Sequence, residues 1–333
     1  MKKAAFAALL YLIALAAVAP AQTPQAPLRL KYAHMNPPNS PNGLQAQFFA
    51  DRITEKTQGA VIITVYPDSR LGSIAEMARL VAEGSVAMHH NTYGGLQPLL
   101  EDLGLFDTPF LYRDVEHLMA ATDPERSPVL AEFNKKLIER SNVRILYSFY
   151  FGTRELTANV PVYGPADLAG RKIRAIPSAI YETAVEGMGA AAIPIDWADV
   201  GEALSSGIAD GQENPVSTIV TSKLYAVQKY LMLTHHIMGS EPVVLNEKVW
   251  QELSAENKRI FREVAEETRK LISDTVRNTE KRDLQTLRDK GMTVIGPAEG
   301  LRVDEFRNKV NAVVNERFGA KWGKYYERIK AMR

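Results

Sequence analysis

The chain has 333 residues, of which 46% are hydrophobic and 24% charged, with a net charge of +1 and no cysteine. That apolar mass is enough for one large core or two medium ones. The charge balance gives no electrostatic reason to bind nucleic acid or an anionic membrane surface, and the lack of cysteine excludes disulfides, thiol chemistry and a lipid anchor on cysteine.

The first 21 residues read as a secretory signal. Met1-Lys2-Lys3 is a basic start, residues 4–19 are an apolar run, and Ala19-Pro20-Ala21 places small residues about a cleavage site before Gln22. The run is shorter than the roughly 20 residues that span a bilayer. Cleavage would leave 38 basic residues against 39 acidic ones, a net charge of −1. An exported, periplasmic location is therefore expected. The mature chain then opens with LRLKYAHM, whose alternation predicts a strand, broken by PPNSPNG. LQAQFFADRITEKTQG reads as a helix ending at a glycine, AVIITVYP as a strand, IAEMARLVAEGS as a helix and VAMHHNTY as a short strand. A second α/β set begins at VRILYSFYFGTR and runs through RKIRAI, AIYETAVEGMG, AAAIPI and DVGEALSSG. Strand–helix alternation of this extent predicts two α/β domains. From Ser254 to Lys290, 37 residues pass without glycine or proline. They predict either two helices with a bend near Asp274–Asn278, or one brace about 55 Å long lying across both domains.

Enzyme chemistry has no foothold. There is no Gly-x-Ser-x-Gly, no His-Glu-x-x-His, no phosphate-binding glycine loop and no dinucleotide fingerprint. The pairs His89-His90 and His235-His236 fall on strands, where neighbours point to opposite faces, so neither pair is set to chelate one metal. No catalytic residue, metal ligand or cofactor site is assigned. Within DLAGRKIRAIPS, strand alternation puts Lys172, Arg174 and Ile176 on one face. An arginine among apolar strand residues needs a partner. That partner is either an internal acid or a ligand carboxylate, whose two oxygens match the guanidinium fork. In DGQENPV, Pro215 fits the first turn of a helix, with Asn214 near its cap.

Taken together, GTRELTANVPVYGPADLAGRKIRAIPS, PIDWADVGEALSSGIADGQENPVSTI and KLYAVQKYLMLTHHI resemble the solute-binding proteins of TRAP (tripartite ATP-independent periplasmic) transporters, dicarboxylate type. The resemblance runs over nearly the whole mature chain, and DGQENP with GRKIR upstream carries most of it. It implies a two-domain periplasmic binding protein fold with a hinged cleft and a long helix spanning both domains. Domain I would comprise residues 28–151 plus 240–275, and domain II residues 152–239 plus 276–333. The family's carboxylate-clamping arginine falls on Arg174, its second arginine on Arg154, its clamp asparagine on Asn214 and its bulky wall on Trp197. Asn36, Ser73 and Thr92 fall where first-domain polar contacts lie, and His236 where a histidine supports the site. Gln212 and Glu213 are expected to tie their loop to its neighbours. The ligand would be a small organic acid: a dicarboxylate, a hydroxy or keto acid, or a sugar acid. Hydroxyls at Ser73 and Thr92, where relatives binding amino acids carry acids, favour a neutral or hydroxylated tail. The partners implied are the membrane permease subunits, with a monomeric binding protein. The alternative implied by the same site is a sensing protein that reports to a signalling receptor.

Overall fold

The computed structural model describes residues 26–332; the expected signal at residues 1–21 lies outside them. The chain opens with β1 (Leu28–Ala33), α1 (Pro41–Lys56), β2 (Val61–Tyr66), α2 (Ile74–Glu83) and β3 (Met88–His90), followed by α3 (Val115–Ala121) and α4 (Pro128–Ser141). A second set comprises β4 (Val143–Ala158), β5 (Lys172–Ala175), α5 (Ala179–Gly187), β6 (Ala191–Pro194), α6 (Val200–Ser206), β7 (Gly211–Pro215) and α7 (Val216–Thr221). β8 (Tyr230–Asn246), α8 (Glu247–Glu252), α9 (Ala255–Asp289), β9 (Thr293–Ile295) and α10 (Val303–Lys330) complete it. The helix starts follow their capping chemistry. Ser40 and Ser127 accept from the amides of Gly43 and Leu130, each just ahead of a proline at the first helical position. Gly84 closes α2 in the left-handed region at φ 84°.

The two α/β sets share one sheet. Its order is β2-β1-β3-β8-β4-β7-β5-β6, with β9 added to β8. The flanks are parallel, β2-β1-β3 on one side and β7-β5-β6 on the other. The centre is antiparallel, because β4 and β8 pair from Val143↔Asn246 to Ala158↔Tyr230. These two long strands serve both lobes, and three register shifts along them change the sheet's course midway. At the middle shift Gly152 adopts φ 119°, and a Cβ there would lie 2.8 Å from Pro215 Cβ. Only glycine suits both the conformation and the space.

The 37-residue run forms one helix, without the alternative bend. α9 has 35 residues, about 52 Å at 1.5 Å per residue, and starts at Ser254, whose hydroxyl accepts from Asn257 N–H. Ile260, Phe261, Val264, Ile272 and Val276 enter the large core, while Leu287 enters a smaller core with Val216, Ile219 and Leu231. One helix thus braces both lobes. Lys56 and Arg52 of α1 fasten its first half through Glu267, at 2.7 and 3.1 Å. α10 is a second bridge. It packs on α5, and further along Trp322 donates to Asp102 and Lys321 pairs with the same carboxylate.

Candidate functional site

β5 runs beside β6, and its alternation sends neighbouring buried residues to different jobs. Ile173 goes to the core, and Arg174 lines a cavity. The cavity, with the open solvent at its mouth, comprises about 330 Å3 of atom-free space. Asn36, Thr92, Arg154, Arg174, Trp197 and Asn214 all line it. Six of the eight residues singled out from sequence are thereby brought to one place, from segments up to 178 positions apart. Ile74, Phe151 and Ile176 supply apolar wall.

Arg174 is 1% exposed. Its Nε donates to the carbonyl of Ile195 at 2.8 Å, its Nη2 has no protein partner, and its guanidinium lies 5.8 Å from the Trp197 ring centroid. Among the described residues no carboxylate pairs with it. Burial pushes its pKa down to about 10, so it remains a cation at neutral pH.

Arg154 is the opposite case. Its Nε and Nη2 donate to Glu213 Oε2 and Oε1 at 2.5 and 2.8 Å, and Nη2 also reaches the Glu213 carbonyl at 2.7 Å. Burial alone would raise the Glu213 pKa; the Arg154 charge and hydrogen bonds, with His236, overcome it and hold the carboxylate down to about 2. Arg154 therefore lines the cavity, but its charge is already met. The two arginines of the expectation thus differ in their partners. The sequence shows two arginines in strands, and only the cross-strand pairing of β4 with β7 decides which one owns the acid.

DGQENP is a strand rather than a helix start. Gly211–Pro215 pair with β4, and Pro215 is the cap residue, with helix beginning at Val216. The orientation of Asn214 follows from a relay. Gln228 Nε2 donates to the carbonyl of Val227 at 3.1 Å, so its Oε1 accepts from Thr157 Oγ1 at 3.0 Å. Thr157 then accepts from Gln212 Nε2 at 2.9 Å, and Gln212 Oε1 accepts from Asn214 Nδ2 at 2.6 Å. One N–H of Asn214 is thus fixed, and its second N–H and its Oδ1 are available at the cavity wall. Gln212 and Glu213 do tie the segment to its neighbours.

A second relay sets Asn36. Tyr147 donates to Gln45 Oε1 at 2.7 Å, which turns the Gln45 amide toward Tyr32 and His90 Nδ1 at 2.7 and 2.9 Å. His90 Nδ1 is then an acceptor, and Nε2–H donates to Asn36 Oδ1 at 3.0 Å. Burial holds His90 well below its ordinary pKa, in keeping with this neutral form. Asn36 is left with its amide N–H groups to offer the cavity.

Ser73 and His236 do not line the cavity. Ser73 caps α2: its hydroxyl accepts from Glu76 N–H at 3.3 Å, and its own N–H donates to Glu76 Oε2 at 2.8 Å. A serine opening a helix with glutamate three residues on is a capping box, a signal present in the sequence beside the functional expectation. His236 is buried behind Arg154, with Nε2 3.0 Å from Glu213 Oε2 and Nδ1 2.9 Å from Thr234 Oγ1. Its neighbour His235 points outward to Glu155 at 2.5 Å, so the pair does split between faces.

Three polar cavity residues were missed: Asn91, Thr218 and Glu241. Asn91 has its Oδ1 on the amide of Thr92 at 2.8 Å, and its buried Nδ2 has no protein partner. Glu241 lies on β8 within MGSEPVV, a glutamate among apolar strand residues. The reasoning applied to Arg174 would have found it.

The lobes touch across the cavity. Asp196 Oδ2 accepts from Ile74 N–H at the start of α2 (3.1 Å), and Gln97 Oε1 accepts from Ser178 Oγ and from Ala179 N–H at 2.5 and 3.2 Å. The cleft closed by these contacts encloses a buried cation, Arg174, that has no ion pair among the described residues.

The profile of the family described as bacterial extracellular solute-binding protein, family 7, matches residues 32–321. The chain belongs to this family. Its members are the periplasmic solute-binding proteins of TRAP transporters, which bind solutes and are not enzymes. The C4-dicarboxylate-binding periplasmic protein DctP of Rhodobacter capsulatus is 27% identical over 298 residues, 88% of either chain. A TRAP periplasmic solute-binding protein from Bordetella bronchispeptica, its bound density assigned as pantoate, superposes with a TM-score of 0.85. It is 29% identical and covers 92% of this chain and 99% of its own. Another from Polaromonas, bound to D-erythronate, gives 0.84 at 26% identity with the same coverage. Among the described residues no helix is long and apolar enough to cross a membrane.

Proposed function

We propose that this protein captures a small organic acid by clamping its carboxylate between Arg174 and Asn214, under Trp197, and delivers it to TRAP membrane permease subunits. The observation that carries this is the asymmetry of the two buried arginines. Arg154 is neutralised by Glu213, whereas Arg174 lines the cavity with no ion pair, and its Nη2 has no hydrogen bond, among the described residues. A carboxylate there accepts from the guanidinium while solvent is partly excluded, which strengthens the bond. It also removes the cost of burying a lone cation, so the ligand favours the shut form over the open one. The relatives' ligands, a C4-dicarboxylate, pantoate and D-erythronate, share the carboxylate this clamp requires.

The lobes that move are residues 28–151 with 240–275, and 152–239 with 276–333, hinging where β4, β8 and α9 pass between them. The protein acts as a monomer, and the shut form presents a surface built from both lobes to the permease. A thermal-shift screen of mono- and dicarboxylates, hydroxy acids, keto acids and sugar acids, run on native protein and Arg174→Ala, tests the reading. Native protein should melt several degrees higher with the bound acid, since ligand at about 100 times its Kd adds about 2.7 kcal/mol; the variant should not respond. A neutral sugar that shifts the melt while no acid does would end this assignment.

A further inference from the structure

The proposal above fixes one end of the ligand. The other end meets a carboxyl group. Glu241 lines the same cavity on β8, and in the sheet three strand spacings separate β8 from β5, through β4 and β7. Glu241 contacts the first α/β set through Asn42, whereas Arg174 contacts the second through Ile195, so the two groups enter the site from different sides. Glu241 is held in place: its Oε2 accepts from Asn42 Nδ2 of α1 at 2.6 Å, with His90 Nε2 3.8 Å away. Its second oxygen has no hydrogen bond to the protein among the described residues.

We propose that Glu241 is the specificity residue at the far end of the cavity, admitting a hydroxyl-bearing, uncharged tail and disfavouring a second carboxylate. This rests on Arg174 holding the first carboxylate. With Arg154 paired to Glu213, the cavity contains one unmet positive charge, enough for a monoanion. A second carboxylate would face Glu241. If Glu241 is ionised, the two repel; if it is protonated, they share a hydrogen bond only while the proton stays. A hydroxyl has no such conflict, since it donates to a carboxylate and accepts from a carboxylic acid. The amides of Asn36 and Asn91, each with N–H groups left for the cavity, give further donors for hydroxyl oxygens.

The groups facing Glu241 are His90 on β3, Asn42 on α1, Arg154 on β4, Tyr32 on β1 and Asp107 after β3. Arg154 is committed to Glu213 and His90 is neutral. Burial raises the Glu241 pKa to about 8, which places the change of state within an accessible pH range.

The test uses two four-carbon probes, D-erythronate and succinate, titrated calorimetrically against native protein, Glu241→Gln and Arg174→Ala between pH 6 and pH 9. Native protein should bind D-erythronate at least about 30-fold more tightly than succinate at pH 9. Its succinate affinity should fall at least about tenfold across the range, while D-erythronate changes less than about threefold. Glu241→Gln, which keeps the shape and a hydrogen-bonding amide, should flatten the succinate profile and shrink the preference about tenfold. Succinate bound as tightly as D-erythronate by native protein at pH 9, or an unchanged preference in Glu241→Gln, overturns the role of Glu241. Because the native pH profile stands by itself, a variant that fails to fold still leaves the role open to refutation. Failure of the underlying clamp looks different: Arg174→Ala would then bind both acids as native protein does.

Discussion

Replacing Arg174 by methionine should do two opposite things at once. Methionine keeps much of the stem's volume and removes the charge. At 4 Å and the effective dielectric of about 20 that suits protein sites, a carboxylate and a guanidinium attract by about 4 kcal/mol, and truncating one partner of a buried, hydrogen-bonded charge pair costs about 2–5 kcal/mol. At about 1.4 kcal/mol per tenfold, the Kd for the acid should rise by roughly 30-fold to several thousand-fold. The free protein should respond in the other direction. Burial moves the Arg174 pKa from 12.5 to about 10. At about 1.4 kcal/mol per pKa unit, shutting the cleft on this cation alone costs on the order of 3 kcal/mol, and methionine removes that cost. The ligand-free variant should therefore populate the shut form more than native protein does. Calorimetry reads the first effect, and small-angle scattering of the ligand-free proteins reads the second as a smaller radius of gyration. An affinity within about threefold of native, or a ligand-free variant more open than native, would refute the reasoning.

Other outcomes follow from the same geometry. Glu213→Gln leaves Arg154 buried without its acid and should cost about 3–5 kcal/mol in urea unfolding; a loss below about 1 kcal/mol would show that the pair is not structural. The folded-state pKa of Glu213 lies at about 2, below its ordinary 4.5, so its contribution to stability is present above about pH 4.5 and lost as pH falls through 2. Glu241 has the opposite sign. Its folded pKa is raised from 4.5 to about 8, so stability present below pH 4.5 is lost progressively up to about pH 8, and Glu241→Gln should flatten a plot of melting temperature against pH over that window. Asp196→Ala removes a cross-lobe hydrogen bond worth about 0.5–1.5 kcal/mol; ligand dissociation measured by stopped flow should quicken about two- to tenfold. Gly152→Ala forces a Cβ against Pro215 at φ 119° and should cost about 1–3 kcal/mol of stability, visible in the denaturation midpoint.

Much of this protein was legible in its residues. The strand–helix alternation and the helix terminating at Gly84 are local: each depends on a few neighbouring side chains and their hydrogen bonds, so the sequence alone settles them. The long run without glycine or proline permits a brace; that it stays one helix was settled by packing, since its apolar stripe meets two cores. DGQENP shows the limit of local reading. A proline after polar residues suits a helix start, yet β4 alongside makes the segment a strand, because pairing satisfies amides that water or a cap would otherwise take. Ser73 had a local role as a cap, and that role claimed its hydroxyl. The sequence by itself determined that buried arginines in strands must find acids. Only the tertiary structure decided that Glu213 belongs to Arg154, leaving Arg174 without an ion pair in a cavity that Glu241 also lines. Charge partnership is set by distances of a few ångströms between strands far apart in the chain, and no spacing along one dimension encodes them.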